Sequence, residues 1–451
     1  MEKAARDAEI SISDLTHQGD GIGRLSDGSV VFVPAALPGD RVRIRVLERR
    51  RSHCRGELVA VVEPSPDRRR PPCILADHCG GCSLQPLDDQ AQARWKEQLV
   101  RQTLERLGQL QAPLRPILSS PKPLGYRNRA VIPLERTAEG VLRCGYYRRG
   151  THRIVNLNRC PVLDPRIDAL IEPLKADLEA SGWPIDRHGG GGLRHLALRI
   201  GEGSGEILIT LVSSAADRLP GLEELAMAWR SRWPAVVGVS LNLQPEPTNR
   251  LFGERTITLG GRSWLEESFA GLSYRIGADS FFQINTRQAE AVVPLLHEAL
   301  GPGPGTLVDA YCGIGTYALP MAAQGWRVEG IEQHAPAVEL ARANADRNGL
   351  GACRFVAADV AAVLPERLLR GDVDALLLDP PRKGLATAVL SGLIAAPPQR
   401  LAYLSCDPAT LSRDLAQLCG EGPYRLDWLQ PIDFFPNTSH VECLALMQRR
   451  P

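Results

Sequence analysis

The sequence lacks the segments that would carry a protein into or across a membrane. Its first seven residues, MEKAARD, are followed by no apolar stretch, so we expect no secretory signal peptide. No run approaches the roughly eighteen apolar residues that a membrane-spanning helix needs. We therefore expect a cytoplasmic protein with no membrane partner. In that reducing compartment the 11 cysteines are not expected to form a disulfide framework.

The net charge is close to zero, but the charged residues are unevenly distributed along the chain. The formal net charge is +1, yet residues 94–153 carry 13 lysines and arginines against 4 acidic residues. Residues 301–451 carry 13 against 16. A basic block beside a mildly acidic domain is typical of an enzyme that binds a polyanion. A solvated charged surface gives the same counts, so charge alone leaves both interpretations open.

The 451 residues are too many for one hydrophobic core and indicate two to four domains. Residues 1–66 predict a small OB-like β-barrel, with five short strands and arginines on the polar face of the strand at 41–46. Residues 67–285 predict a strand-rich α+β middle domain. In residues 286–451 helices alternate with buried strands, which predicts a doubly wound α/β domain whose ligands bind beyond the C-terminal strand ends.

A Gly-rich turn at 309–315 follows the first predicted strand of this α/β domain. It lacks the Lys-Ser/Thr pair of a phosphate-binding loop. Glu332, at the end of the next strand, is placed to accept hydrogen bonds from ribose hydroxyls, which indicates a nucleoside cofactor. Asp379-Pro380-Pro381 favours S-adenosylmethionine, because two prolines stiffen the backbone and hold a polar group against a methyl donor. A plain strand-ending turn is the simpler alternative for these three residues.

Cys406 follows a predicted strand at the same edge. An isolated cysteine is usually a buried structural residue, but the position beside Asp379 favours chemistry on a bound base. C5 of uracil is a poor nucleophile until a thiolate adds to C6, and the C5 proton must then be removed by a base. Glu442 precedes the last strand and is the candidate base, with a buried salt bridge as the alternative role.

A second group of cysteines lies far from Cys406 in sequence. Cys73, Cys79 and Cys82 are clustered around two glycines, and Cys160 lies downstream before a proline. Zinc sites usually show two short Cys pairs, so the spacing favours an iron–sulfur cluster while leaving zinc open. The Cys-x3-Cys-x2-Cys spacing of radical enzymes is absent.

Together these motifs resemble the RumA-like family of RNA (uracil-5-)-methyltransferases, over nearly the whole chain. The resemblance rests on the N-terminal barrel, on Cys-x5-Cys-Gly-Gly-Cys, and on the segments at 281–285, 309–316, 379–384, 405–408 and 440–442. It implies a TRAM barrel, an S-adenosylmethionine-dependent domain and a 4Fe-4S cluster on Cys73, Cys79, Cys82 and Cys160. It also implies that Cys406 is the nucleophile and Glu442 the base. The cofactor contacts that it implies are Gln283, Tyr311, Thr316, Glu332, Asp359 and Asp379.

The expected reaction is methyl transfer to C5 of a uridine in 23S ribosomal RNA. The same chemistry on transfer RNA is the first alternative, and a non-enzymatic iron–sulfur RNA-binding or ribosome-assembly protein is the second. A cytosine-5 methyltransferase would carry a second motif cysteine, which the Asp-Pro-Pro segment lacks. We expect a monomer with no obligate protein partner, and a structural cluster that folds residues 72–87 for RNA contact.

Overall fold

The computed structural model describes residues 7–185, 191–246, 248, 250–420 and 422–451. The chain divides into two compact units. The first comprises Met1–Leu99, Tyr146–Val155 and Phe435–His440, and the second Val100–Gly145, Asn156–Phe434 and Val441–Pro451. Within the described ranges, none of the helices has the length and apolar character needed to cross a membrane. The division into domains at 1–66, 67–285 and 286–451 stays a prediction.

The first unit contains a closed five-stranded barrel with strand order β1-β2-β3-β5-β4. Its strands are β1 (Asp7–Leu15), β2 (Gly21–Arg24), β3 (Val30–Val33), β4 (Arg41–Arg49) and β5 (Cys54–Glu63). Strand β4 shows why the barrel forms: Val42 and Ile44 are buried, whereas Arg41, Arg43 and Arg45 point outward. This alternation fills the barrel with aliphatic side chains and confirms the predicted barrel.

Helix α1 (Asp89–Thr103) follows the barrel. Asp88 caps it, since its carboxylate accepts hydrogen bonds from the backbone N–H groups of Gln90 and Ala91 at 2.9 Å each. A second apolar core lies beside the barrel and comprises Leu15, Leu37, Leu84, Leu87, Ala91 and Trp95. The first turns of α1 thereby bury apolar surface within the first unit.

The second unit opens with a π-helical turn (Leu104–Gly108) and contains a six-stranded sheet of order β11-β10-β9-β8-β6-β7. Its strands are β6 (Arg129–Arg136), β7 (Leu142–Cys144), β8 (Leu193–Ile200), β9 (Ile207–Ser213), β10 (Val236–Leu243) and β11 (Arg255–Gly261). The associated helices are α2 (Pro165–Asp168), α3 (Ile171–Ala180) and α4 (Leu222–Arg232), and a hairpin of β12 (Trp264–Phe269) and β13 (Leu272–Gly277) follows.

A seven-stranded sheet completes the second unit, in the order β16-β15-β14-β17-β18-β20-β19. Its strands are β14 (Thr306–Ala310), β15 (Arg327–Glu332), β16 (Cys353–Ala357), β17 (Ala375–Leu378), β18 (Arg400–Ser405), β19 (Tyr424–Ile432) and β20 (Glu442–Arg449). Strands β14 to β18 are parallel, and β20 runs antiparallel to both of its neighbours. The helices between them are α5 (Thr286–Leu300), α6 (Ala318–Ala323), α7 (Ala335–Arg347), α8 (Val360–Leu369), α9 (Thr387–Ala395) and α10 (Pro408–Cys419).

Strand β17 shows the cause of this architecture. All four of its residues, Ala-Leu-Leu-Leu, are buried, which is expected of a parallel strand covered by helices on both faces. The predicted doubly wound α/β domain is confirmed.

Candidate active site

The sheet topology brings the two predicted catalytic side chains together. Cys406 comes directly after β18, and Glu442 is the first residue of β20. These strands are antiparallel, with Ser405 opposite Cys443. Cys406 and Glu442 therefore lie across from each other at one edge of the sheet. Asp379, which directly follows β17, lies at the same edge.

Cys406 is half-buried and lies directly before the residue that caps α10. Asp407 caps α10 by accepting hydrogen bonds from the N–H groups of Ala409 and Thr410 at 2.9 and 3.0 Å. Burial and the negative charges of Glu442 and Asp379 raise the pKa of the Cys406 thiol to about 11. The thiol is therefore protonated at neutral pH unless a positive charge is brought beside it.

The two carboxyl groups beside Cys406 have pKa values near neutrality. Burial, reinforced by the charge of Asp379, raises the pKa of Glu442 to about 8. Burial raises the pKa of Asp379 to about 7. Glu442 is only 6% exposed. A carboxyl group with such a pKa can both take up and release a proton at physiological pH.

Gln283 lies against this carboxyl cluster. Its side-chain amide donates a hydrogen bond to Asp379 Oδ2 at 3.4 Å. Asn128 fixes the loop that carries it, by donating from Nδ2 to the Gln283 carbonyl at 2.7 Å and from its backbone N–H to the Ile284 carbonyl at 2.9 Å. Asn285 caps α5 by accepting from the Gln288 N–H. Gln283 is thus held by an anchored backbone.

The Gly-rich turn after β14 has a strained backbone and is hydrogen-bonded to the neighbouring strand β15. Tyr311 has φ 72°, a left-handed conformation that non-glycine residues seldom adopt and that is concentrated at functional sites. Its N–H and that of Cys312 both donate to the Ile331 carbonyl, at 2.8 and 3.1 Å. Glu332 completes the turn, since its carboxylate accepts from Gly313 N–H at 3.1 Å and from His334 N–H at 2.8 Å.

Thr316 and Asp359, the remaining predicted cofactor residues, lie in or beside the same turn. Thr316 is buried, and its carbonyl accepts a hydrogen bond from the Tyr274 hydroxyl at 3.2 Å. Asp359 is exposed and caps α8 through the Ala361 N–H at 3.0 Å. Burial, together with the charge of Asp359, raises the pKa of Tyr311 to about 12. The structure therefore places Asp359 close to Tyr311. Thr316 lies at the end of the turn itself.

Three residues at this edge were not assigned a role from the sequence. Arg382 is exposed, and its positive charge favours the ionised forms of Cys406 and Glu442, opposing the burial that raises both pKa values. Tyr317 is buried, and its hydroxyl has no hydrogen-bond partner among the described residues. Asp309 is buried, and burial with the nearby charges of Asp379 and Glu332 raises its pKa. The Asp-Pro-Pro-Arg motif could have identified Arg382 from the sequence, whereas no sequence pattern indicated a role for the Tyr317 hydroxyl.

Asp414 holds the loop that follows Asp379. Its buried carboxylate accepts hydrogen bonds from the Tyr403 hydroxyl at 2.8 Å and from the Leu385 N–H at 2.9 Å. Gly384 has φ 74°, and a side chain there would collide with this carboxylate. The loop is therefore fixed against α10, which limits movement of Asp379 and Arg382.

The cysteine-rich loop belongs to the first unit. The sulfur of Cys73 accepts a hydrogen bond from the Leu75 N–H at 3.4 Å, and that of Cys79 from the Gly81 N–H at 3.5 Å. The Gly80 N–H donates to the Tyr147 carbonyl at 2.9 Å, which fastens the loop to the segment at 146–155. Backbone donors directed at sulfur are typical of metal-bound thiolates.

The fourth predicted ligand, Cys160, belongs to the second unit and is buried, and its N–H donates to Asp168 at 2.6 Å. Throughout the described part of the chain, no three His, Cys, Asp or Glu side chains converge as a set able to hold a metal ion.

Comparison with known proteins gives two family matches. Residues 265–450 match the tRNA (Uracil-5-)-methyltransferase family, and residues 6–59 match the TRAM domain. The crystal structure of Pyrococcus abyssi tRNA (uracil-54, C5)-methyltransferase in complex with S-adenosyl-L-homocysteine has a TM-score of 0.77 and 26% identity. The match covers 98% of this chain and all of that one.

Three relatives that align with nearly the whole chain are also named as RNA methyltransferases. An RNA methyltransferase of Parasynechococcus marenigrum is 50% identical, over 98% of this chain and 95% of the relative. One of Synechocystis is 47% identical, over 98% and 95%. One of Halalkalibacterium halodurans is 35% identical, over 98% and 96%. The chain belongs to the RNA (uracil-5-)-methyltransferases that carry an N-terminal TRAM domain.

Proposed function

We propose that the protein transfers the methyl group of S-adenosylmethionine to C5 of a uridine in 23S ribosomal RNA, through covalent addition of Cys406 to C6. The observation that carries this proposal is the position of Cys406 opposite Glu442 at the C-terminal edge of the seven-stranded sheet. A nucleophile and a base at facing positions of adjacent strands can act on one ring, as an addition–elimination reaction requires.

S-Adenosylmethionine, when bound, supplies an electrophilic methyl group. The Cys406 thiolate attacks C6, and the electron pair of the C5–C6 double bond makes C5 nucleophilic. The methyl group passes to C5 as its bond to the sulfonium sulfur breaks, and S-adenosylhomocysteine is the leaving group. Glu442 then removes the C5 proton, the double bond re-forms and the thiolate leaves. Cys406 therefore ends as it began, and the proton resides on Glu442.

The protonation of the two catalytic groups fits this order of steps. The pKa values of about 11 for Cys406 and about 8 for Glu442 mean that both groups are largely protonated at neutral pH unless a further positive charge lies beside them. A bound sulfonium cation favours thiolate and carboxylate, because opposite charges lower the pKa of acidic groups. Arg382 acts in the same direction. The reactive forms are thus favoured when the site is loaded.

For the cofactor we propose that Glu332 accepts the ribose hydroxyls and that the Tyr311 turn encloses the nucleoside. Gln283 and Asp379 face the reacting end, since they are hydrogen-bonded to each other beside Cys406. Thr316 and Asp359 are proposed as further contacts on the wall and rim of the same turn.

The choice between 23S ribosomal RNA and transfer RNA rests on the TRAM barrel and the cysteine motif. The transfer-RNA enzyme of Pyrococcus abyssi matches the whole chain, so transfer RNA is the second candidate. We would incubate the purified protein and labelled S-adenosylmethionine with each RNA from a strain lacking the gene, and map the 5-methyluridine. Label in 23S RNA alone supports the proposal, whereas label in transfer RNA alone overturns the choice of substrate.

We further propose that Cys73, Cys79, Cys82 and Cys160 bind a 4Fe-4S cluster with a structural role. The spacing and the N–H groups directed at Cys73 and Cys79 support it, and the methyl transfer itself requires no electron. Iron and sulfide analysis of protein purified without oxygen tests the proposal. About four of each per chain is expected, and absence of iron contradicts it.

A non-enzymatic iron–sulfur RNA-binding or assembly protein is the alternative of another class. It predicts that Cys406→Ala changes nothing measurable, whereas the methyltransferase requires that 5-methyluridine formation is lost while RNA binding persists. A buried glutamate with a pKa near neutrality beside a cysteine is expected of catalysis rather than of a binding surface.

A further inference from the structure

The outer surface of the barrel has two sides that differ in charge pairing. We call the first the β4 face; it comprises Asp7, Glu9, Arg41, Arg43, Arg45, Glu57 and Glu63. Arg41 is paired with Glu9 and Glu63, Arg43 lies 3.7 Å from Glu9, and Arg45 lies 3.4 Å from Asp7 and opposite Glu57 in register. Three arginines therefore meet four carboxylates, and the face has no excess of positive charge.

The opposite surface, the β3 face, comprises Ile22, Arg24, Val30, Phe32, His53 and Arg55. Strand register brings them together, because Phe32 pairs with Ile22 on β2 and with Arg55 on β5, and Val30 pairs with Arg24. Partners in register project to the same side of a sheet. The neighbours Val31 and Val33 are buried in the barrel, so Phe32 and its partners face outward.

The centre of the β3 face is aromatic. The rings of Phe32 and His53 lie 4.9 Å apart and are both half-buried. Ile22 and Val30 are half-buried beside them. A partly exposed aromatic pair with an apolar border is a platform on which a nucleobase can stack.

Positive charge surrounds this platform. Arg24, Arg55 and the connection at 49–51 contribute five arginines, and the carboxylates among them are Asp27 and Glu48. Asp27 is paired with Arg49 at 2.9 Å, and Glu48, which lies opposite Arg55 in register, accepts from Arg50 at 2.9 Å. The β3 face, taken together with this connection and its two carboxylates, therefore keeps an excess of three positive charges that the β4 face lacks.

We infer that the β3 face, and not the β4 face, binds a single-stranded segment of the substrate RNA, with a base stacked on Phe32 and a phosphate at Arg55. The inference rests on the proposed RNA methylation and specifies where the barrel holds that RNA. Small barrels of this type bind oligonucleotides across strands β2 and β3, and a phosphate would satisfy arginines that the barrel's own carboxylates leave in excess.

The test uses the full chain in a Cys406→Ala background, so that no covalent adduct disturbs the equilibrium. The probe is a fluorescein-labelled uridine dodecamer, titrated by anisotropy between 50 and 200 mM KCl, a range over which phosphate contacts strongly alter affinity. Arg55→Gln should weaken binding about fivefold at low salt and reduce the slope of log K against log salt by about 0.7, the value for one phosphate of a single strand. Phe32→Leu should weaken binding by about fivefold or more without changing the slope, because it removes stacking and no charge.

Arg43→Gln on the β4 face is the matched control and should bind within about twofold of the parent. Thermal unfolding of each variant shows whether the barrel is intact. The inference is overturned if Arg43→Gln weakens binding as much as Arg55→Gln, or if both β3-face variants bind like the parent. Methylation of RNA by the wild type, measured alongside, separates the two failures: active enzyme with unaffected β3-face variants refutes this inference alone, and absent methylation refutes the proposed function.

Discussion

The active-site edge and the cysteine-rich loop differ in how their side chains are positioned. At the edge, strand register alone sets Cys406 opposite Glu442, and Asp379 is held beside them by a hydrogen bond from Gln283. In the loop, Cys73 and Cys79 have backbone donors at their sulfurs, yet no metal-ligand set converges within the described residues. A sheet positions side chains by its own backbone hydrogen bonds, whereas a loop of short turns depends on what it binds.

Replacement of the nucleophile should give the largest effect. Cys406→Ala should lower methylation by about a thousandfold or more, as removal of a nucleophile generally does. Cys353→Ala is a matched control, because Cys353 is also half-buried with a pKa raised by burial to about 11, but it lies on β16. It should keep near-normal activity. Equal losses in both variants would show that the assay reports folding and not a covalent role.

Replacement of a loop thiol should affect metal content and leave the cofactor site intact. Cys79→Ser should lose most of the iron and unfold at lower temperature, since metal binding contributes to folding. Its affinity for S-adenosylmethionine should stay within about twofold, because the edge is built by the sheet. Normal iron content in Cys79→Ser, or an equal loss of iron in Cys353→Ser, would show that the cysteine-rich loop does not bind the metal.

Replacement of Glu332, the proposed hydrogen-bond acceptor for the ribose hydroxyls, should weaken cofactor binding and leave the rate of the chemical step nearly unchanged. Glu332→Gln should weaken S-adenosylmethionine about tenfold by calorimetry, the scale of one charge-assisted hydrogen bond. The kcat at saturating cofactor should change little. Glu339→Gln, on the exposed side of α7 and paired with Arg342, is the control. A fall in kcat without a change in affinity would contradict the binding role of Glu332.

The dependence of stability on pH tests whether Glu442 is buried at this edge. The pKa of Glu442 is raised on folding from 4.5 to about 8, so its protonated form favours the folded state. That contribution is complete below pH 4.5 and is lost as the pH rises through about 8. Between pH 5 and pH 9 the wild type should lose a few kcal/mol more of unfolding free energy than Glu442→Gln, at about 1.4 kcal/mol per pKa unit. Parallel curves for the two proteins would show that Glu442 is not buried as described.

Much of the fold followed from sequence periodicity. Alternation at 41–46 predicted the barrel strand, and alternating helices and buried strands predicted the parallel sheet with Glu332, Asp379 and Cys406 at its C-terminal edge. The antiparallel return of β20, which brings Glu442 to Cys406, depends on pairing between segments distant in sequence and has no local signal. Charge pairing escaped prediction for the same reason: the arginines of β4 are an RNA-binding pattern in sequence, but their carboxylate partners come from β1 and the end of β5.

The most direct test of the central claim is to trap the intermediate with Glu442→Gln. This variant should still add Cys406 to the uridine and accept the methyl group, but it cannot remove the C5 proton and so cannot release the RNA. With S-adenosylmethionine and RNA from a strain lacking the gene, denaturing gels should show a protein–RNA adduct that is absent from the Cys406→Ala, Glu442→Gln double variant. Normal turnover by Glu442→Gln with no adduct would contradict the assignment of Glu442 as the base that frees Cys406.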